Sequence, residues 1–336
     1  MTTTALTITS TDAADDAALA VLATLDDGVR EYAQASLAQG TTRVYAMHWI
    51  AFQTWCKILK LQPLPTLPAV AAQYATALAK AGKKWSTINI AMTVVNQANM
   101  AHNNTAVRSD PYVRTVLRGI RRSIGVAPDQ AAPFLAESLK KGMTAFSDKT
   151  AIGIRDRAML SVCFFGAFRR SELVSLNVDD LSLDAKGWIV NLRRSKTDQE
   201  GRGSKRGLPY AAEPSVCPVR TVQAWLDVRR RAGVPEAAGT PLFLRVDNLH
   251  GSIIDARLTG QVVTRIVKQA AEAAGLEVDD FSAHSLRAGF VTTAARAGKS
   301  VHAIKRQTGH NSVSMIDRYV RDATVFDDNA ATGLGV

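Results

Sequence analysis

The 336-residue sequence has few cysteines and no long apolar run, and each absence excludes a class of protein. Its three cysteines, Cys56, Cys163 and Cys217, lie far apart and form no CxxC or Cys/His ligand spacing, which argues against a disulfide scaffold or a zinc site. No stretch approaches the roughly 18 apolar residues of a membrane span, and the N-terminal stretch lacks the basic and apolar regions of a signal peptide. We therefore expect a cytoplasmic protein whose cysteines are reduced and buried.

Acidic residues are nearly missing from one part of the chain. Residues 32–125 hold eleven Lys and Arg and a single acid, Asp110, in a chain of formal net charge +11. Residues 1–31, by contrast, hold one Arg and six acids and are predicted to be a disordered acidic tail. Solubility requires net charge but not an absence of acids, so residues 32–125 are typical of a domain that binds a polyanion. A solvated basic face is the alternative.

Motifs for nucleotide and metal chemistry are also missing. The sequence contains neither the phosphate-binding GxxxxGK[ST] loop nor the HExxH zinc motif. The acidic pairs Asp179–Asp180, Asp279–Asp280 and Asp327–Asp328 raise the option of a two-metal nuclease. They stand at the edges of predicted strands and helices, however, where capping and solvation explain them. We expect no cofactor and no metal.

Hydrophobic periodicity predicts a mainly α protein with two domains. In the first domain, residues 32–125, helical runs begin at Thr41, at the segment LPAVAAQYATALAKAG, at Ser86 and at Pro111, and no strand is predicted. Residues 126–134 contain two prolines and no periodicity, and they form the predicted linker. The pattern therefore predicts a basic four-helix domain followed by a separate unit.

The second predicted domain, residues 135–322, mixes helices with a small antiparallel sheet. A helix over IGIRDRAMLSVCFFGAF precedes the strand-like segments LVSLNVDDLSL, WIVNLRRS and LPY. Helices then resume in VRTVQAWLDVRRRAG, LTGQVVTRIVKQAAEAAG, AHSLRAGFVTTAARAG, SVHAIKRQTG and SVSMIDRYVR. Residues 323–336 form a C-terminal tail with too few apolar positions for a core.

Several residues in this domain suit phosphate chemistry, although each has an ordinary alternative. His284 and Arg287 share a helix face at i and i+3, away from an apolar stripe. Arg169 and Arg170 follow an apolar helix end, so a partner is required, either Glu172 or an external anion. The ordinary readings are an exposed basic face and an internal ion pair.

Two further candidates are Lys196 and Tyr319. Lys196 lies at a predicted hairpin, and Tyr319 lies beside the apolar stripe Val313, Ile316 and Val320. A hairpin lysine is usually solvated, and a tyrosine at such a place is usually a packing residue with a wet hydroxyl. A phenol becomes a good nucleophile only with help, which nearby arginine cations supply by favouring the phenolate. The segment SVHAIKRQTGHNSVSMIDRYV also has the outline of a helix-turn-helix.

Together these motifs resemble the tyrosine recombinase (phage integrase) family, with the Cre type closest in layout. AFRRSEL resembles the family's GLRxSEL box and implies Arg169 as a catalytic residue with Glu172 as its supporting acid. Arg170 stands where the family usually has an apolar residue, so which adjacent arginine enters the site stays open. The resemblance extends to the hairpin Lys196 and to the HSLR box, which contains His284 and Arg287. It also includes the TGH box with His310, and Tyr319 follows nine residues later. It spans roughly residues 30–330.

The resemblance implies a helical SAM-like core-binding domain and a catalytic domain with the DNA breaking-rejoining enzyme fold. It implies a site-specific recombinase that cuts DNA through a 3′-phosphotyrosine on Tyr319, frees a 5′-hydroxyl and exchanges strands without ATP or metal. Arg169, Arg287 and His310 would bind the phosphate, Lys196 would protonate the leaving oxygen, and His284 would assist proton transfer at the tyrosine. The implied partners are double-stranded DNA with an inverted-repeat site and a homotetramer on two sites joined through a Holliday junction; accessory DNA-bending proteins stay open.

The family also implies where the first domain and the tail make contacts. Arg43, Lys83, Lys84 and Thr87 are on, or at the start of, helices that face DNA in the family. Arg118, Arg121 and Arg122 are near its interdomain clamp, and all seven are candidate DNA-binding residues. The tail at 323–336 is expected to dock onto a neighbouring protomer. Two other functions stay open at this stage: a non-catalytic DNA-binding regulator, and a type IB topoisomerase-like enzyme with the same chemistry but no strand exchange.

Overall fold

The computed structural model describes residues 39–103, 105–126, 131–193, 203–313, 316–317 and 319–320. The chain divides into two units, residues 1–129 and 130–336. The described ranges are mostly helical with small antiparallel sheets, so the predicted fold class is confirmed. No helix in these ranges is long and apolar enough to cross a membrane.

The first unit contains four described helices: α1 (Gln39–Ile58), α2 (Pro68–Lys80), α3 (Trp85–Asn103) and α4 (Pro111–Ile124). Proline opens α2 and α4, where its fixed φ suits the first helical position and its missing N–H is not needed. Asp110 caps α4 by accepting a hydrogen bond from the backbone N–H of Tyr112 at 2.8 Å. Each helix therefore begins close to the position that the sequence predicts.

An aromatic cluster holds the first unit together. The ring centroids of Phe52 and Tyr74 lie 4.9 Å apart, and those of Trp55 and Tyr74 lie 5.1 Å apart. Phe52 is fully buried, and Ile88 and Met92 of α3 extend the same core. Aromatic pairs at these distances stabilise by about 0.5–1.5 kcal/mol beyond the burial of their area. The core of this unit therefore includes the aromatic and apolar faces of α1, α2 and α3.

The second unit is built around one buried helix, α6. The helices of this unit are α5 (Ala136–Gly142), α6 (Ala151–Phe165), α7 (Arg170–Ser175), α8 (Pro218–Arg231), α9 (Gly260–Ala273), α10 (Ala283–Arg296) and α11 (Val301–Thr308). Ten residues of α6 are buried, and they pack mainly against α8 and α10. Gly289 of α10 allows the chain at Phe134 to approach closely, because a Cβ there would stand 1.8 Å from the Phe134 carbonyl oxygen. Further residues at 316–317 and 319–320 are helical.

Two sheets lie in the second unit, and part of the predicted first strand is wrong. Strands β1 (Leu181–Asp184), β2 (Gly187–Leu192) and β3 (Ser204–Pro209) form an antiparallel sheet in the order β1-β2-β3. Of the strand-like LVSLNVDDLSL only residues 181–183 are in β1. Residues 173–175 belong to α7, whose start is capped by Glu172, and residues 178–180 form a short 3-10 helix. A second hairpin, β4 (Leu244–Val246) with β5 (Ile253–Arg257), was not predicted.

Candidate active site

Arg169 stands at the start of α7, where Glu172 holds it. Glu172 is 3% exposed, and its Oε2 accepts the Arg169 backbone N–H at 3.0 Å while its Oε1 accepts from Arg169 Nη1 at 2.6 Å. A glutamate at the third helical position reaches back to the helix start in this way. The neighbouring Arg170 is exposed, and its aliphatic stem lies against Gly260. The two adjacent arginines therefore have different surroundings, and the Glu172 ion pair belongs to Arg169.

Arg287, on α10, is buried against the turn that precedes Arg169. Its Nη1 donates to the carbonyl oxygen of Ala167 at 2.7 Å, and the residue is 1% exposed. Ala167 has a φ of +47°, a left-handed conformation that aims its carbonyl at the arginine. Among the residues that the structure describes, the buried Nη2 of Arg287 has no hydrogen-bond acceptor. A buried N–H without an acceptor costs about 1–3 kcal/mol, so an incoming anion that accepts from it is favoured.

Arg206, on β3, brings a third guanidinium group to this cluster. Its Nη2 lies 3.2 Å from Glu172 Oε2, so the single carboxylate of Glu172 is shared between Arg169 and Arg206. Its guanidinium carbon lies 4.8 Å from the ring centroid of Phe168. The group also donates to three backbone carbonyl oxygens, those of Gly166 (2.9 Å), Ala167 (3.3 Å) and Thr308 (3.2 Å).

The cluster carries more positive than negative charge. Burial, followed by repulsion from Arg169 and Arg206, lowers the pKa of Arg287 to about 9. Burial also lowers the pKa of Arg206, against the opposing attraction of Glu172. Three guanidinium groups around one carboxylate, with a donor of Arg287 still to be satisfied, suit a phosphate group, since arginine matches phosphate oxygens in charge and shape.

His310 lies in the same region, next to the end of α11. Gly309 ends this helix in the left-handed conformation, with φ 65°, and the next residue turns inward. The His310 ring is buried, and its Nδ1 lies 2.7 Å from the Thr308 hydroxyl oxygen. Burial, and then the charges of Arg287 and Arg169, lower the pKa of His310 to about 3, so the imidazole is neutral near pH 7.

His284 is exposed at the first turn of α10, three residues before the buried Arg287. Its charge contributes to lowering the pKa of His310, which places the two rings within electrostatic reach of each other. A surface pocket of about 330 Å³ is lined by His284, Arg169 and Arg170, together with Ser171, Thr264, Ser282 and Ala283. The pocket therefore gives solvent, or a ligand, access to two of the predicted catalytic residues.

Tyr319 is half-buried and packs beside a small apolar cluster that includes Val291, Ile304 and the fully buried Ile316. Of the predicted stripe Val313, Ile316 and Val320, the cluster contains Ile316 and the half-buried Val320, whereas Val313 is not one of its residues. A negative charge on the Tyr319 oxygen would raise the pKa of Arg287, so the phenol and the guanidinium lie within electrostatic reach. The structure therefore brings Tyr319, Arg287, Arg169, Glu172, His284 and His310 into one region of the second unit.

Lys196 lies outside the described residues. The pairing of β2 with β3 is described up to Leu192, which is opposite Ser204. Lys196 belongs to the connection between these two strands. Its role stays a prediction.

The candidate DNA-binding residues of the first unit are on its surface. Arg43 on α1 is exposed, as are Lys83 and Lys84 between α2 and α3, whereas Thr87 in the first turn of α3 is half-buried. On α4 the exposed residues Arg118, Arg121 and Arg122 stand at i, i+3 and i+4, which puts them on one face. Their exposure is compatible with DNA contact and with simple solvation.

Asp179, Asp180 and Asp279 of the acidic pairs have protein partners in the described part of the chain. Asp179 and Asp180 both bind Arg193, with Asp180 Oδ1 2.6 Å from its Nε. Asp279 lies 2.9 Å from Lys268 Nζ, and the pair at 327–328 is outside the described residues. Within the described residues no group of three or more His, Cys, Asp or Glu is placed to hold a metal ion.

Arg206 is a site residue that the sequence patterns did not identify. In β3 its side chain and that of Leu208 alternate with exposed neighbours, so both point inward. The segment KRGLP contains this alternation, and a buried arginine requires acceptors nearby. Its acceptors, however, come from segments about 34 to 102 residues away, a link that no local pattern contains.

The chain is similar to known DNA recombinases in sequence. The sequence model described as the phage integrase family matches residues 134–324. An integrase/recombinase XerD homologue of Selenomonas ruminantium is 33% identical over 302 residues, 88% of this chain and 86% of the relative. The tyrosine recombinase XerD of Xanthomonas campestris pv. campestris is 30% identical over 234 residues, 64% of this chain and 68% of the relative.

The fold is similar to that of a solved recombinase. A lambda integrase tetramer bound to a Holliday junction superposes with a TM-score of 0.56 at 15% sequence identity, covering 90% of this chain and 78% of that one. At this level of identity the similarity concerns the fold alone.

Proposed function

From the premise that this chain belongs to the phage integrase family and is a site-specific tyrosine recombinase, which cleaves and rejoins DNA, we propose that Tyr319 is its nucleophile. The single observation that supports this role best is the buried basic cluster in the same unit as the half-buried Tyr319, in which Arg287 Nη2 lacks an acceptor among the described residues. The Tyr319 oxygen attacks the scissile phosphate, a 3′-phosphotyrosine forms, and the 5′-oxygen leaves as a hydroxyl. That hydroxyl then attacks the phosphotyrosine of the partner strand, which forms a new phosphodiester, breaks the bond between phosphorus and the tyrosine oxygen and releases the tyrosine as the protonated phenol.

Arg169 and Arg287 bind the non-bridging oxygens of the phosphate and neutralise the charge that develops in the transition state. Loss of one such donor typically costs about 3–4 kcal/mol of transition-state stabilisation. Glu172 keeps Arg169 in place through its two hydrogen bonds. His310 is neutral near pH 7 because its pKa is about 3, and it donates to the phosphate in the tautomer that carries the proton on Nε2. In that tautomer the Thr308 hydroxyl donates to Nδ1 in place of its 2.8 Å hydrogen bond to the Ile304 carbonyl oxygen.

Two further groups move protons in this proposal. Lys196 protonates the leaving 5′-oxygen, because a lysine on a hairpin can reach into a groove and supply a proton. His284 assists proton transfer at Tyr319, and it lines the surface pocket beside Arg169. No step uses ATP or a metal ion, since the energy of the broken phosphodiester is kept in the phosphotyrosine. The role of each group is separable by its own substitution.

The first unit binds the DNA duplex through Arg43, Lys83, Lys84, Thr87, Arg118, Arg121 and Arg122. Its excess of basic residues over one acid, Asp110, supports this role. Four protomers act on two inverted-repeat sites, as lambda integrase forms a tetramer on a Holliday junction. The tail at 323–336 docks onto a neighbouring protomer, and the protein acts on DNA in the cytoplasm. A requirement for accessory DNA-bending proteins is left open.

The decisive experiment is covalent trapping. DNA fragments that the protein enriches from a genomic library are incubated with the full chain in excess EDTA, and denaturing gels are examined for a protein–DNA adduct. We expect an adduct with the wild type and with the control Tyr210→Phe, which alters an exposed tyrosine. Tyr319→Phe should bind DNA and form no adduct. An adduct with Tyr319→Phe, or cleavage only with a divalent metal, overturns the proposal.

A further inference from the structure

We propose that Arg206 is a positioning residue that fixes the relative positions of Arg169, Arg287 and His310. The proposal rests on the function proposed above, since it assigns a role within the same site. Arg206 does not act on DNA itself, because its Nη1 and Nη2 already donate to backbone carbonyls and Nη2 also pairs with Glu172, whereas Arg287 Nη2 has no acceptor among the described residues. It acts through the groups that it binds.

A single guanidinium group connects three segments that are distant in sequence. Arg206 Nη1 donates to the carbonyls of Gly166 and Ala167, and Nη2 donates to the carbonyl of Thr308 at 3.2 Å. Nη2 also lies 3.2 Å from Glu172 Oε2. The segments are the turn before Arg169, the strand β3 that carries Arg206, and the end of α11.

Each acceptor of Arg206 touches or precedes a residue with a proposed catalytic role. The Ala167 carbonyl also accepts from Arg287 Nη1 at 2.7 Å, and Glu172 also binds Arg169 Nη1 at 2.6 Å. Thr308 contributes its carbonyl to Arg206 and its hydroxyl to His310 Nδ1, at 2.7 Å. A displacement of Arg206 is therefore transmitted to all three phosphate-binding groups.

The side chain of Gln307 connects the same three segments through a second set of hydrogen bonds. Its Nε2 donates at 2.8 Å to the carbonyl of Phe165 and at 2.8 Å to the carbonyl of Gly207. Gln307 therefore joins the same three segments as Arg206, one residue away from it in each case. The pair Arg206 and Gln307 is referred to below as the carbonyl clamp.

Only arginine has the geometry that this position requires. Its planar fork presents five N–H donors in fixed directions, whereas lysine concentrates three donors on one nitrogen. Lysine at 206 keeps the charge that faces Glu172 but cannot reach carbonyls on opposite sides. The conservative substitution Arg206→Lys therefore separates geometry from charge.

A matched control exists in the same unit. Arg229 of α8 is also fully buried and donates to backbone carbonyls, including that of Leu242 at 2.7 Å. Its described hydrogen bonds go to the carbonyls of Pro235, Pro241 and Leu242, none of which belongs to the candidate active site. Arg229→Lys thus removes a buried arginine of purely structural role.

The test measures cleavage and binding separately in the full-length chain, using a DNA fragment that yields the adduct with wild type. For Arg206→Lys we expect the single-turnover adduct rate at saturating DNA to fall about tenfold or more, with the Kd for DNA within about threefold of wild type. Arg229→Lys should lower Tm while the rate per folded molecule stays at the wild-type value. Gln307→Ala changes a half-buried residue and should reduce the adduct rate in the same way as Arg206→Lys. It replaces Arg206→Lys as the test if that variant does not fold.

The inference is wrong if Arg206→Lys forms the adduct at the wild-type rate. It is also wrong if the whole loss of rate equals the fraction of Arg206→Lys molecules that are unfolded. If Arg206→Lys does not fold, a wild-type rate in Gln307→Ala overturns it. Tyr319→Phe is assayed in parallel to separate this inference from the proposed function. If Tyr319→Phe forms an adduct, the proposed nucleophile is wrong whatever Arg206 does. If Tyr319→Phe is inactive and the clamp variants are unaffected, only the role of Arg206 is wrong.

Discussion

Arg287 donates a hydrogen bond from Nη1 to the carbonyl oxygen of Ala167 at 2.7 Å, and Ala167 presents that oxygen from a left-handed backbone conformation. Left-handed φ values are unfavourable for residues with a Cβ, and most unfavourable for β-branched residues. The GLRxSEL box of the family has glycine at this position, where the sequence has alanine. The direction of this carbonyl therefore depends on the residue at 167.

We expect Ala167→Gly to keep both the fold and cleavage, because glycine adopts positive φ freely. The substitution relieves backbone strain, which stabilises the fold, but it also removes a buried methyl group, which destabilises it by a similar amount. The free energy of unfolding should therefore change by less than about 1 kcal/mol. Ala167→Val should lose on the order of 1–3 kcal/mol and most of its cleavage rate. Urea unfolding and single-turnover adduct formation measure the two effects. Wild-type cleavage by Ala167→Val would show that the carbonyl direction does not matter.

Glu172→Gln tests the shared carboxylate. Glutamine has nearly the same shape but no charge, so Arg169 and Arg206 lose the anion between them while staying buried or half-buried. Removal of one partner from a buried ion pair typically costs about 3–5 kcal/mol, and we expect a loss in the free energy of unfolding near the lower limit. Urea unfolding near pH 7 measures this loss.

Glu213→Gln is the control for that substitution. Glu213 pairs with Lys140 at the surface, with the Oε2 to Nζ distance at 2.6 Å, and solvent screens this pair. Its loss of stability should be much smaller than that of Glu172→Gln. Equal losses in the two variants would mean that the carboxylate of Glu172 is not required to balance the buried guanidinium groups.

His310 should make the protein sensitive to acid. The unfolded chain binds a proton at this imidazole below about pH 6.5, whereas the folded chain binds it only near its pKa of about 3. The unfolded state thus holds more protons in this window, so stability falls as the pH is lowered from 6.5 towards 3. Between pH 7 and 5 the wild type should lose about 2 kcal/mol more than His310→Gln. Urea unfolding at several pH values measures this difference, and parallel pH profiles would contradict it.

The basic face of α4 should set the salt dependence of DNA binding. Each phosphate contact contributes about 0.9 to the slope of log K against log salt, so replacing Arg118, Arg121 and Arg122 by Gln should reduce the slope by about 1 to 3. Fluorescence anisotropy with duplex DNA at several salt concentrations measures it. Lys186→Gln, which changes an exposed lysine between β1 and β2, should leave the slope unchanged. An unchanged slope in the triple variant would indicate that these arginines are only solvated.

The C-terminal tail should matter for assembly rather than for chemistry. Deleting residues 323–336 is expected to leave binding to a single site intact and to weaken cooperative assembly on paired sites. Native gels and analytical ultracentrifugation with one-site and two-site DNA separate these properties. Unchanged assembly on paired sites would exclude a docking role for the tail.

Helix limits were the most predictable part of the fold because their signals are local. Pro111 marks the start of α4, and Gly309 ends α11 with a left-handed φ. The stretch LVSLNVDDLSL was harder, since its β-like composition competes with the capping of α7 by Glu172. A single glutamate three positions after the cap decides that residues 173–175 are helical. The composition of this stretch alone predicts a strand at residues 173–175, where the structure has a helix.

The family and the set of proposed catalytic residue types could be identified from the motifs alone, because six residues in the right order form a pattern that chance rarely produces. The motifs also identified the segment in which Glu172 pairs with Arg169, since that contact spans only three positions. Three further properties became visible in the folded chain: Arg169 rather than Arg170 pairs with Glu172, His310 is buried and neutral near pH 7, and Arg206 belongs to the site. Burial and long-range electrostatics depend on which segments pack together, and Arg206 binds Thr308 across 102 residues of sequence. No local pattern contains that distance.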